Sequence, residues 1–85
     1  MDNIIITITN QSKSFFYDIE VPIGLAISNL KDDIVEALNG YNPNLFLKAA
    51  TAALLCNRTG HILADDETME TAGVWNGDYI TIKEV

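Results

Sequence analysis

The sequence is short of cysteine, proline, histidine and positive charge. Cys56 is the single cysteine, so no intrachain disulfide can form. One cysteine and one histidine, His61, cannot supply a structural zinc site. A reduced compartment fits this usage, and a cytoplasmic location is expected. Five lysines and arginines face twelve acids, a net charge of −7. Phosphate binding needs a basic surface, so neither nucleic acid nor an anionic membrane is an expected ligand. The longest apolar run is residues 52–56, far below the roughly 20 residues that span a bilayer. Met1-Asp2-Asn3 places no basic region ahead of an apolar stretch, so no secretory signal is expected.

What is present is globular. Hydrophobic residues make up 48% and charged residues 20% of 85 residues, away from the disordered class. That length suits one hydrophobic core, and residues 1–85 are expected to form a single domain.

Residues 3–9, rich in β-branched side chains, predict a first strand with Ile4, Ile6 and Ile8 on one face. A polar break at residues 10–13 has hairpin length. Residues 14–21 then alternate Phe15, Tyr17, Ile19 and Val21 with Phe16, Asp18 and Glu20. The charged set must face water, so the first set faces the core. Pro22 ends the strand. Ile27, Leu30, Ile34, Ala37 and Leu38 recur at helical spacing, with Gly24 the nearest tolerable N-cap and Asn39-Gly40 a stop signal. Residues 41–53 read either as a short Ala-rich helix or as an irregular lead into a strand, and periodicity does not decide. The expectation is an ordered segment, partly a short helix beginning near Asn44, with some of Leu45, Phe46 and Leu47 exposed. Residues 54–58 and 61–64 predict two strands around a Thr59-Gly60 turn. Asp65-Asp66-Glu67 opens a turn or short helix, Met69 and Val74 point inward, and Asn76-Gly77-Asp78 is a turn before a last strand at residues 79–84. A core of Ile4, Ile6, Tyr17, Ile19, Ile27, Leu30, Ile34, Leu38, Leu63, Val74, Ile80 and Ile82 follows.

Two segments carry a resemblance. Ile19-Glu20-Val21 with residues 26–34, and LADDETMETAGVWNGDYITI at residues 63–82, resemble the matching sections of ubiquitin. The resemblance implies an α+β ubiquitin-like β-grasp: a mixed four- to five-stranded sheet with one main helix across one face. VPIGLAISNL and AGVWNGDYITI are more similar to the YukD/EsaB group and the cytosolic ubiquitin-like domain of EccD, of Gram-positive type VII (Ess/ESX-type) secretion systems. That resemblance implies a non-enzymatic adaptor or regulator acting by protein contact. Its partner would be a cytosolic part of the secretion ATPase or a membrane component. The alternative is a carrier of sulfur-transfer or conjugation type. The last strand runs into Lys83-Glu84-Val85 without the Gly-Gly such carriers use, and conjugation is not expected. Ubiquitin's recognition patch aligns its isoleucine with Asn57 and its valine with Lys83, so ubiquitin-binding domains are not expected partners.

No catalytic, cofactor or metal site is expected. Cys56 and His61 flank a turn without a third orienting residue. Consecutive acids at residues 65–67 lack the alternate spacing of a calcium loop. The residues singled out are for protein contact. If strand one sits between strands two and five, Ile5, Phe16 and Tyr79 point away from the helix. Trp75 is either an anchor for a partner or a cover for the core edge. Leu45, Phe46 and Leu47 would receive a larger partner or pair two copies into a weak homodimer.

Overall fold

The computed structural model describes residues 2–84. Val85, where the missing glycine tail was weighed, lies outside them. Five strands form one mixed sheet: β1 (Asn3–Asn10), β2 (Phe16–Pro22), β3 (Ala52–Cys56), β4 (His61–Ile62) and β5 (Tyr79–Glu84). Their order across the sheet is β2-β1-β5-β3-β4, with β1 and β5 parallel and the other pairs antiparallel. Helix α1 (Ile27–Tyr41) supplies the stripe that the sheet buries: Ile27, Leu30, Ile34, Val35 and Leu38. The chain is the α+β β-grasp.

The even residues of β1 and β5 meet that stripe, and Ile6, Ile8, Ile80 and Ile82 are buried. Leu54, Cys56, Met69 and Val74 join them. Ile4, Tyr17 and Ile19, expected in the core, are only half-buried, because β2 is the edge of the sheet and Ile4 lies near the strand's end.

Helix α1 begins and ends differently from the sequence reading. Ala26, not Gly24, is the N-cap, and it offers no side-chain hydrogen bond. The first amides are met instead by a distant turn: Ile27 N–H donates to the Glu67 carbonyl at 2.8 Å and Ser28 N–H to Asp65 at 3.1 Å. Gly40 does not stop the helix, which runs through Tyr41. Tyr41 packs against Tyr17 with the rings tilted and 5.0 Å between centroids, a tertiary contact that offsets the glycine's low propensity. Asn42, ahead of Pro43, is extended and ends it.

Between α1 and β3, no helix begins near Asn44. The Asn39 amide holds both backbone groups of Leu47, donating to its carbonyl at 2.9 Å and accepting its N–H at 3.0 Å. Phe46 is left-handed, with φ 53°, which breaks any helical path. A single 3-10 turn at Ala49–Thr51 leads into β3. β3 therefore runs from Ala52 to Cys56 instead of residues 54–58, and β4 is cut to His61–Ile62. The turn closes directly after β3, with Gly60 N–H donating to the Cys56 carbonyl at 2.8 Å, and the side chains of Asn57 and Arg58 meet Thr81 and Asp78.

Candidate functional site

The alternation of β1 sends Ile5, Thr7 and Thr9 to the face opposite the helix. Across β1, Thr9 lies opposite Phe16 of β2, and Thr7 opposite both Asp18 of β2 and Tyr79 of β5. The Phe16 and Tyr79 rings meet edge to face at 6.2 Å. Ile5, Phe16 and Tyr79 are 49%, 53% and 50% exposed. Side chains of this size are thus left half in water on one face of the sheet. Thr9 and Thr81 between them are buried, so the face is partly filled and not bare. Thr81 donates its hydroxyl to the Asn57 side chain at 2.7 Å.

Leu55 and Ile62 lie on this same face, paired with each other, and Leu55 also pairs with Thr81. The sequence reading missed both. Leu55 sits inside an apolar run with no visible alternation, and β4 is too short to show one. They add apolar surface beside Asn57, where the ubiquitin alignment had placed a polar residue.

One end of the face is held by a charged network around Asp78. Asp78 accepts from Arg58 Nε at 3.0 Å, from Arg58 Nη2 at 3.0 Å and from the Trp75 backbone N–H at 2.8 Å. The buried thiol of Cys56 lies 3.8 Å from its Oδ2. The Arg58 side chain holds the Asp78 carboxyl below the usual carboxylate range and is itself held above its ordinary value. Arg58 also donates to the Gly73 carbonyl. Its guanidinium lies over the Trp75 ring, 3.8 Å from the centroid. Trp75 is 64% exposed, while its neighbour Val74 is the residue that closes the core. Asp78 went unrecognised in the sequence because the pattern there is that of an ordinary turn, and its partner Arg58 is twenty residues away. On the other side of that turn, Asn76 accepts the Ile5 N–H at 2.8 Å and Gly77 donates to the Ile5 carbonyl at 2.7 Å. Trp75 and Ile5 are thus tied to the same short turn.

Residues 45–47 lie in the segment between α1 and β3. Leu45 and Leu47 turn inward against the core, and Phe46 alone projects, 78% exposed. Asp65 pairs with Lys31 at 2.8 Å. Glu67 caps its own turn, accepting the Ala64 N–H at 2.8 Å, and meets His61 at 3.0 Å. Backbone donation from Ala64 and the His61 side chain lower the Glu67 pKa. Among the described residues, no group of three or more His, Cys, Asp and Glu side chains is placed to hold a metal ion. No described helix is long and apolar enough to cross a membrane.

Residues 4–82 match the family described as "WXG100 protein secretion system (Wss), protein YukD". The chain belongs to the YukD family. Solved structures agree on the fold of this YukD-family chain. A ubiquitin-like domain of an Arabidopsis thaliana protein matches with a TM-score of 0.76 at 22% identity, covering 99% of this chain and 79% of that one. The ubiquitin of Caldiarchaeum subterraneum matches with a TM-score of 0.76 at 20% identity, covering 99% of this chain and 95% of that one. At such identities the likeness speaks for the fold alone. A search of curated proteins returned no match. Membership of the family makes the chain a ubiquitin-like component of a WXG100 secretion system.

Proposed function

We propose that this chain, as a single ubiquitin-like domain over residues 1–85, is a cytoplasmic, non-enzymatic adaptor or regulatory component of a Gram-positive type VII secretion system. It works by docking on a cytosolic part of the secretion ATPase or a membrane component. The observation that carries this reading is the half-exposed Ile5, Phe16 and Tyr79 group on a rigid sheet. Trp75, its ring braced by Arg58, extends that surface as an anchor, since a pre-ordered aromatic loses little freedom on binding. Ile5→Asp and Phe16→Asp are expected to abolish co-purification with the secretion complex while leaving the circular dichroism spectrum and melting curve near wild type. Retained co-purification in both folded variants would remove the sheet face from the reading.

Phe46 is the second contact point, because its strained backbone presents an unsupported ring. It pairs two copies weakly or receives the larger partner. The contact is non-covalent. Strand β5 stays paired with β3 as far as Glu84, opposite Ala52. Intact mass after incubation with ATP and cell extract is expected to be unchanged. An adduct through the terminal carboxylate would favour the sulfur-transfer or conjugation carrier instead.

A further inference from the structure

Strand β2 is the outer edge of the sheet. Its phase is set by the bond from Ile23 N–H to the Asp2 carbonyl at 3.1 Å. With the register Ile4↔Val21, Ile6↔Ile19 and Ile8↔Tyr17, the odd residues of β2 exchange bonds with β1. The N–H and C=O groups of Phe16, Asp18 and Glu20 therefore point to the open edge. Among the described residues no hydrogen bond reaches them. The edge carries no lysine or arginine to blunt it, and its only proline lies at its last position.

Its side chains are sorted by face. Asp18 and Glu20 lie on the outer face, each leaning over β1: Asp18 Oδ1 accepts from the Thr7 hydroxyl at 2.7 Å, and Glu20 Oε2 from the Asn3 amide at 2.9 Å. One oxygen of each carboxylate has no partner among the described residues. On the helix face, Tyr17 and Ile19 are half-buried, and Tyr41 stands exposed against Tyr17. A second copy is a poor occupant. Antiparallel pairing of β2 with itself about Ile19 sets Asp18 opposite Glu20 twice, and like charges directly opposite are destabilising.

We infer that the β2 edge accepts one extended, basic segment of a partner protein as a sixth strand, with lysine or arginine opposite Asp18 and Glu20 and apolar residues between them against Tyr17 and Ile19. Backbone bonds supply the attachment, and the alternate side chains supply the selectivity. The net charge of −7 draws such a segment in. This rests on the reading that the chain works by protein contact, and it names the chemistry of what is bound.

The test uses the full chain, 15N-labelled, and a capped hexapeptide alternating lysine and valine. Amide exchange at Phe16, Asp18 and Glu20 is expected to slow by about tenfold or more on binding. The isosteric double variant Asp18→Asn, Glu20→Gln is expected to bind about tenfold more weakly, with a reduced salt dependence. A peptide of the same charge, N-methylated at alternate backbone positions, is expected to lose the slowed exchange. Equal binding of the methylated peptide, equal binding of the double variant, or no binding at millimolar peptide would overturn the inference. Slowed exchange of the three amides with protein concentration alone would assign the edge to a second copy and overturn it too. The experiment contains no secretion component, so its outcome is independent of the Ile5→Asp and Phe16→Asp co-purification.

Discussion

Replacing Asp78 with asparagine separates the charge of the turn from its shape. The side chain keeps its size and still accepts from the Trp75 N–H, but it no longer offers a carboxylate. Asp78 is buried, and the bond from Trp75 at 2.8 Å is close to ideal. A hydrogen bond to a charged group contributes about 1.5–3 kcal/mol, and the neutral amide retains part of that, so a loss of about 1–2 kcal/mol is expected at neutral pH. The Arg58 guanidinium is open to water, and nothing is added for it. With a urea dependence of about 1 kcal/mol per molar, the unfolding midpoint falls by roughly 1–2 M. The pH dependence has a definite sign. The folded Asp78 pKa lies below its ordinary value of 3.8, so the unfolded chain binds the proton more readily. The stabilisation is therefore fully present above that ordinary value and is lost as pH falls through the folded one. The gap between wild type and Asp78→Asn should close as pH is lowered past this window. Glu67, also depressed, is common to both proteins and cancels from the difference. Trp75 is the single tryptophan, so its fluorescence follows urea unfolding at each pH. A gap that stays constant from neutral pH to about pH 2, or one that widens, would refute the electrostatic account of this turn.

Leu30→Ala, in the middle of the buried helix stripe, should cost roughly 2–5 kcal/mol, read as a lower melting temperature. An unchanged melting curve would contradict the packing of α1. Phe46→Ser should leave stability nearly unchanged, since the ring covers nothing, and should abolish any concentration-dependent sedimentation of the wild type. Monomers in both proteins, with the secretion partner still bound by the variant, would leave the sheet face as the sole contact point.

Much of this protein was legible in the sequence because it is written in short periods. The two-residue alternation of β1 and β2 places Ile6 and Ile8 inside and Ile5 and Phe16 outside. The stripe through Ile27, Leu30, Ile34 and Leu38 defines the helix and its buried side. The family was legible as well, in the two segments that resemble ubiquitin and YukD. Tertiary structure decided what depends on distant partners. The start of α1 is satisfied by carbonyls of residues 65 and 67, which no local capping rule can anticipate. Gly40 stays helical through Tyr41 against Tyr17, and the segment after the helix is pinned where Asn39 reaches both backbone groups of Leu47. Leu55 and Ile62 join the outer face through the β3–β5 and β3–β4 registers. The Asp78 network and the open edge of β2 arise in the same way. A charge becomes a clamp, and a strand becomes an edge, only when chain segments far apart in sequence are brought side by side or left without a neighbour.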